Sequence, residues 1–292
     1  MTFSSGGSFE GGRVRSRRGG AAVAGGGVGI LGIAAFLIFQ FTGVDIGPVV
    51  DGAQSGGSGQ ERESVVGECT AEQANTDRAC RLSATTQSLD AYWSTTLAAA
   101  GGELVQPEVY EFTDATTSGC GQATAATGPF YCPTDQSIYM DPGFFDLLQT
   151  QFGASDGPLA EMYVTAHEYG HHVQNISGVF DTADRSAGSG AGQVRLELQA
   201  DCYAGMWVGE AATTVDPDTG EVFLEPITAE QLTAALSAAE AVGDDHIQES
   251  SGGQVDPHTW THGSSEQRQQ WFTTGYEQGS LAACDTFAVE DV

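Results

Sequence analysis

Two histidines four residues apart place the strongest constraint on how this chain folds. The sequence His167-Glu168-Tyr169-Gly170-His171 lies in a segment, Pro158 to Ile176, that predicts a helix ended by Ser177-Gly178. Residues four apart in an α-helix lie one turn apart on the same face, so both imidazoles can reach one zinc ion. Glu168 lies about 100° further round the helix, which suits a general base for a water molecule that the zinc activates.

The residues that precede this motif predict that the helix is buried. Met162, Tyr163, Val164 and Ala166 form a largely apolar approach to it. A buried polar group without a partner costs about 1–3 kcal/mol, and a metal ion supplies a partner for both histidines. A five-residue pattern with two free positions also occurs by chance, and the alternative is a set of solvated polar residues on a helix face.

A second acidic pattern follows in the next predicted helix, 193–212. Within RLELQADCYAG, Glu197 and Asp201 are four residues apart and share a face among apolar neighbours. One carboxylate can complete a zinc site whose fourth position stays open for water, while the other accepts the second N–H of a ligand histidine. The alternative is an acidic stripe on a solvated helix face.

Four segments carry a resemblance to a known family: YCPTDQSIYMD, HEYGHHVQNISG, RLELQADCYAG and HGSSEQR. They resemble the neutral zinc metallopeptidase family of bacterial membrane-anchored proteins, within the wider zincin group. The resemblance implies a zincin-like domain that binds Zn²⁺ and acts on a peptide or protein. It also implies the roles of the site residues: His167, His171 and Glu197 as metal ligands, Glu168 as general base, and Asp201 as the carboxylate behind a ligand histidine.

A further histidine is a candidate catalytic residue. An imidazole at His262, near the cleft, can donate a hydrogen bond to the oxyanion of the tetrahedral intermediate. The alternative is a structural histidine that caps the start of the following helix. Tyr131 and Tyr139 are further candidates for the same part, whereas His172 points about 100° away from His171 and is expected to pack or to support a ligand.

The cysteines predict disulfides. Six of them follow the apolar N-terminal segment, and an even number outside the cytoplasm favours disulfides over free thiols. None forms a C-x-x-C pair, so a cysteine zinc site is not expected. Six cysteines allow about fifteen pairings. Proximity in the sequence favours Cys69–Cys80 and Cys120–Cys132, which leaves Cys202–Cys284 as the third bond of this hypothesis.

The N-terminal quarter of the chain predicts a membrane tether. Ala21 to Phe39 contains no charged or strongly polar residue, and roughly 20 such residues cross a bilayer as a helix. Four arginines precede this run, so the N-terminus is expected in the cytoplasm. The predicted organisation is a disordered basic tail (1–20), a transmembrane anchor (21–43), a flexible linker (44–67) and a metallopeptidase domain (68–292). A cleaved signal peptide is the alternative.

Charge excludes one class of function. The chain has 39 acidic residues against ten basic ones, all of them arginine, and a net charge of −29. A body this acidic repels phosphate backbones, so no nucleic-acid partner is expected.

The predicted elements run from a few strands to mostly helices, which indicates an α+β domain with a small sheet. Strands are predicted at 106–114 and 128–140, a flexible loop at 181–192, and helices at 87–100, 141–152, 158–176, 193–212, 228–246 and 264–279. The strand around 136–140 is expected at a sheet edge, where an extended substrate can pair with it.

These patterns together predict a membrane-tethered, extracytoplasmic zinc peptidase with Glu168 as its general base. One alternative remains, a zinc hydrolase that acts on another kind of amide. A second alternative is a non-catalytic or latent zincin-fold module that binds a membrane or cell-envelope partner.

Overall fold

The computed structural model describes residues 2–18, 62–124, 127–155, 157–184, 188, 191–250, 252 and 254–292. Among these residues it has nine strands and nine α-helices, which confirms the α+β prediction. The strands are β1 (Ser8–Phe9), β2 (Arg15–Arg18), β3 (Arg62–Val65), β4 (Cys69–Thr70), β5 (Glu108–Thr113), β6 (Ala115–Ser118), β7 (Gly121–Thr124), β8 (Phe130–Cys132) and β9 (Ser137–Met140). The helices are α1 (Ala71–Thr76), α2 (Arg78–Ala99), α3 (Pro142–Phe152), α4 (Pro158–Ile176), α5 (Val179–Thr182), α6 (Gly192–Glu210), α7 (Ala229–Ala241), α8 (Asp244–Ser250) and α9 (Ser265–Gln278).

The largest sheet has five strands in the order β3-β2-β5-β9-β8. Strands β2, β5 and β9 run parallel, while β3 and β8 pair antiparallel at the two edges. The strand predicted around 136–140 is therefore β9, an interior strand, and the prediction that it forms an edge is wrong. The chain folds back after Cys132, so the short strand β8 covers β9 and becomes the edge itself.

Helix α4 lies at the centre of the helical layer and packs against α2, α6 and α7, while α6 packs along α9. The core between these helices holds the fully buried side chains of Trp93, Tyr163, Tyr169, Trp207 and Phe272. The residues of the histidine motif therefore lie on a largely buried helix, as the apolar approach to the motif predicted.

Helix boundaries follow local signals in the sequence. Helix α4 has the predicted bounds, and Thr228 and Ser264 form capping boxes at the starts of α7 and α9. The helix predicted over 228–246 is wrong at its C-terminal end: α7 stops at Ala241, and a separate helix starts at Asp244. Gly243 lies at this break and is a weak helix former.

The N-terminal residues belong to the folded unit, so the prediction of a disordered tail at 1–20 is wrong for residues 2–18. Phe3, Phe9 and Val14 are buried in the main core, and β2 lies inside the sheet. The guanidinium of Arg13 donates to the buried Asp90 from Nε at 2.5 Å and from Nη2 at 3.0 Å. These contacts offset the entropy cost of ordering a segment whose composition is typical of disorder.

The predicted linker and domain boundary also need correction. The prediction of a flexible linker at 44–67 is wrong over residues 62–65, because these residues form β3 and pair with β2. The folded unit is therefore not confined to 68–292. The anchor predicted at 21–43 lies outside the described residues, and no helix that the structure does describe is long and apolar enough to span a bilayer. Arg18 and Arg62 are register partners. If 21–43 crossed a membrane once, Arg18 and Arg62 would lie on opposite sides of it and could not pair. A single crossing is therefore incompatible with the packing of residues 2–18 into this unit.

The three predicted disulfides are confirmed: Cys69–Cys80, Cys120–Cys132 and Cys202–Cys284. The third bond joins α6 to the C-terminal segment that follows α9. It therefore fixes the helix that carries the acidic pattern.

Candidate metal centre

Two helices approach each other closely at the histidine motif. A Cβ atom on Gly170 would lie 3.1 Å from both the Cα and the carbonyl oxygen of Ala200, so glycine here lets α4 and α6 pack closely without a shift of either helix. Glu197 and Asp201, one turn apart on α6, consequently face the two histidines of α4.

Three of the predicted ligands come together. The Nε2 atoms of His167 and His171 lie 3.2 Å and 3.5 Å from Oε2 of Glu197, and the three ligand atoms all lie within 4.8 Å of one another. All three side chains are buried. Two imidazole nitrogens and one carboxylate oxygen are a donor set that zinc accepts, with a fourth position left for water or substrate.

His167 is held from behind by a buried charge network. Its Nδ1 lies 2.8 Å from Oδ1 of Asp201, which also accepts a hydrogen bond from the hydroxyl of Tyr163. Arg268 donates to the same carboxylate from Nε at 2.8 Å and from Nη2 at 2.9 Å. Because the Nδ1–H of His167 donates to Asp201, Nε2 is the ring nitrogen that faces the site and the one that a metal ion would bind.

Opposing effects set the pKa values in this network. Burial alone would raise the pKa of Asp201, but the charges of Arg268 and His167 hold it down to about 2. Burial alone would lower the pKa of His167, but Asp201 and Glu197 raise it to about 9. The carboxylate is thus ionised at neutral pH and orients the imidazole.

His171 is held by amides rather than by a carboxylate. Its Nδ1 lies 2.9 Å from Oε1 of Gln174, one turn further along α4. The amide nitrogen of Gln174 donates to the carbonyl oxygen of Leu196 at 2.7 Å and to Gln199 Oε1 at 3.0 Å. These bonds assign the Nδ1 proton of His171 and turn its Nε2 toward Glu197.

The two glutamates have opposite electrostatics. Burial raises the pKa of Glu168, which lines the cleft beside the histidines. Burial alone would also raise the pKa of Glu197, but His171 and His262 hold it well below its usual range. The amide of Gln193 donates to Oε1 of Glu197 at 3.3 Å and leaves Oε2 directed at the histidines. Glu197 therefore has the ionised carboxylate of a ligand, and Glu168 has the more basic one.

His262 lies in the same cleft, on a turn that Asp244 organises. One carboxylate oxygen of Asp244 accepts hydrogen bonds from three consecutive backbone N–H groups, those of residues 261–263, at 2.6–3.0 Å. Gly263 adopts a φ of +92° in this turn, a conformation that favours glycine. Burial alone would lower the pKa of His262, but Glu197 and Asp244 raise it. The imidazole is thus placed beside the metal ligands with its Nδ1 side fixed by the turn.

The other candidates have structural partners. The hydroxyl of Tyr131 lines the cleft side of β8 and bonds to His172 and Asn175 of α4. Tyr139 donates to Asp135 at 2.8 Å on the other side of the sheet. His172 also contacts the carbonyl oxygen of Val105, and burial lowers its pKa to about 4, which agrees with the prediction that it packs.

Sequence reasoning missed several residues of this site: Tyr163, Gln174, Asp244 and Arg268. Arg268 carried a usable signal, because it is the single basic residue in the last 90 or so positions of a chain rich in acids, and it lies in the first turn of a helix. A cation at a helix N-terminus is unfavourable unless a buried anion pairs with it.

The sequence comparisons agree with this geometry. Residues 4–287 match the family described as "Putative neutral zinc metallopeptidase". The chain is 49% identical over 224 residues to "Uncharacterized protein Rv2575" of Mycobacterium tuberculosis, a stretch that covers 76% of this chain and 75% of that protein. It is 39% identical over 202 residues to "Uncharacterized protein YpfJ" of Escherichia coli K12, covering 67% of this chain and 66% of the other.

No solved structure matches the chain, so the zincin assignment of the fold stays a prediction. The family match extends over nearly the whole sequence and includes the N-terminal residues that fold into β1 and β2. The chain belongs to the neutral zinc metallopeptidase family.

Proposed function

We propose that the protein is a zinc-dependent peptidase that hydrolyses peptide bonds at the His167, His171 and Glu197 site. The observation that carries this proposal is the pair of supporting contacts behind the histidines, from Asp201 and Gln174. Both contacts direct Nε2 of an imidazole to one point, where Glu197 contributes an oxygen.

The chain's own groups account for the proton transfers. A zinc ion bound there lowers the pKa of water and polarises the carbonyl of the scissile bond. Glu168, whose pKa burial raises, accepts the proton from the attacking water and then transfers it to the nitrogen of the leaving amine. His262 donates a hydrogen bond to the oxyanion, and Glu197 and Asp244, which raise its pKa, favour the protonated imidazole.

The edge strand β8 offers a place for the substrate backbone. Residues 127–131 and Pro133 line the cleft next to the histidines, and among the described strands β8 pairs only with β9. An extended peptide can add to such an edge as a further strand and present one of its peptide bonds to the site.

The proposal includes a location outside the cytoplasm. Three disulfides in a chain of this size are typical of an oxidising compartment. The apolar run 21–39 supports attachment to a membrane in a form that leaves Arg18 and Arg62, which are register partners, on the same side.

Substitution of Glu168 tests the mechanism. The Glu168→Gln variant is expected to bind zinc as the wild type does and to lose hydrolysis of an internally quenched peptide by at least about a hundredfold. The matched control is Glu230→Gln, an exposed glutamate on α7, which is expected to keep full activity. Retained hydrolysis in Glu168→Gln would remove this residue as the base, and zinc-loaded wild type that cleaves no peptide library would favour the latent or non-catalytic module.

A further inference from the structure

One face of α3 forms an apolar wall of the cleft. Phe144, Leu148 and Phe152 are spaced four residues apart, so they lie on one face of the helix, and all three line the cleft. We call these three residues the α3 stripe. Gly128, on the approach to β8, packs against the ring of Phe144 so closely that a Cβ atom would lie 3.0 Å from it. The α3 stripe and the edge strand therefore enclose one continuous space with the metal site.

The remaining walls away from the metal are also apolar. Val164 lies one turn before Glu168 on α4, and the ring centroid of Phe180 on α5 is 6.2 Å from that of His171. Val242 and Ile247 close the side formed by the ends of α7 and α8. Several of these side chains keep part of their surface in contact with solvent, and apolar surface gains free energy when an occupant covers it.

Among the residues that the structure describes, every charged group that lines the cleft lies at its metal end. These groups are Glu168, Glu197 and Arg268, besides the titratable histidines. Arg268 is committed to the carboxylate of Asp201 and to the carbonyl oxygen of Val242 at 3.0 Å. An acidic or basic side chain placed against the α3 stripe would therefore lose its hydration without gaining a partner of opposite charge.

We propose that the cleft selects peptides with a large aliphatic or aromatic side chain next to the scissile bond, and that the α3 stripe receives this side chain. The proposal rests on the proposed peptidase function and deepens it by naming the substrate class.

A peptide series tests the selectivity. We use two sets of internally quenched peptides. One set varies the residue before the cleaved bond and the other varies the residue after it, and each set carries Phe, Leu, Gly, Lys or Asp at the varied position. We expect kcat/KM for Phe or Leu to exceed that for Gly by at least about tenfold, with Asp the poorest. Cleavage at equal rates across the series overturns the proposal but leaves the peptidase function standing. Absence of cleavage of every peptide counts against the peptidase function instead.

A binding measurement separates selectivity from turnover. Amino-acid hydroxamates chelate zinc through the hydroxamate group and present one side chain to the cleft. The zinc-loaded Glu168→Gln protein is expected to bind the Phe and Leu hydroxamates at least about tenfold more tightly than the Gly hydroxamate. Equal affinities overturn the proposal even if the protein is catalytically latent.

Substitutions in the α3 stripe identify the receiving surface. Phe144→Ala is expected to reduce the preference for Phe over Gly by several fold, and Phe144→Arg to raise kcat/KM for the Asp peptide relative to the Phe peptide. The matched control is Gln151→Ala, at an exposed position of the same helix, which is expected to keep the wild-type ranking. Folded Phe144 variants, checked by circular dichroism, that keep the wild-type ranking overturn the assignment to the α3 stripe.

Discussion

Replacement of Arg268 by methionine removes one partner of a buried ion pair and leaves the other in place. The carboxylate of Asp201 is 0% exposed and the side chain of Arg268 is 3% exposed. The two guanidinium hydrogen bonds to that carboxylate measure 2.8 and 2.9 Å. Methionine preserves most of the side-chain volume, so the loss of charge dominates the effect.

The size of the effect follows from the geometry of the pair. Loss of one partner from a buried ion pair costs about 3–5 kcal/mol, because the remaining charge is left uncompensated. Tyr163 and His167 still donate to Asp201 in the variant, so we expect the lower end, a loss of about 3 kcal/mol in the free energy of unfolding. Zinc affinity is expected to fall about 10–100-fold, because Asp201 no longer orients His167 as firmly.

Urea denaturation of the zinc-free protein measures the first quantity, and competition with a chromogenic chelator measures the second. The matched control is Arg15→Met, which removes an ion pair with Glu63 whose side chains are 42% and 41% exposed. Such a surface pair contributes about 0–1 kcal/mol. The double variant Arg268→Met/Asp201→Asn is expected to recover most of the stability but not the zinc affinity. A loss below about 1 kcal/mol for Arg268→Met, equal to that of the control, would refute this account of the network.

Three further predictions concern the fold. Burial raises the pKa of Asp141, the N-cap of α3, to about 6, so its ionisation destabilises the folded state as pH rises through that value. Asp141→Asn should therefore stabilise the protein by about 1–2 kcal/mol at pH 7.5, after allowance for solvent screening, and give no advantage at pH 4, as thermal unfolding at the two pH values will show. Removal of the Cys202–Cys284 bond by a double alanine substitution should cost about 4 kcal/mol of unfolding free energy, because its residues are 82 positions apart, and a loss below about 1 kcal/mol would speak against that cross-link. Cysteines introduced at the exposed Ser5 and Asp291 should react alike with an impermeant maleimide in intact cells, whereas labelling of one alone would place the two ends on opposite sides of a membrane.

The parts of the site that sequence reasoning predicted are those that depend on helix periodicity. His167, His171 and Glu168 follow from one turn of one helix, and Glu197 with Asp201 from one turn of another. The spacing predicts which residues share a face, and the chemistry of the donors then indicates that the two faces meet.

The parts that it missed depend on contacts between distant segments. Strands β1 and β2 are short, and β2 gains stability from pairing with β5, about 95 residues further along the chain. Local composition carries no sign of such a pairing, so the sequence of residues 1–20 predicts a disordered tail. The role of Arg268 is similar, because its partner Asp201 lies 67 positions earlier and on another helix.

Gln174 was missed for a different reason. It lies in the motif helix at a regular spacing from His171, but a glutamine has no chemistry that marks it as part of a metal site. Its role depends on the buried amide pair with Gln199, which the packing of α4 on α6 creates.

Zinc content per chain tests the central claim most directly. Elemental analysis of the full-length protein, purified without chelators, is expected to give about one zinc per chain for the wild type and for the exposed control Glu230→Ala, and a small fraction of that for Glu197→Ala. Wild-type protein without zinc, or Glu197→Ala protein that keeps a full equivalent, would contradict the assignment of His167, His171 and Glu197 as a metal site.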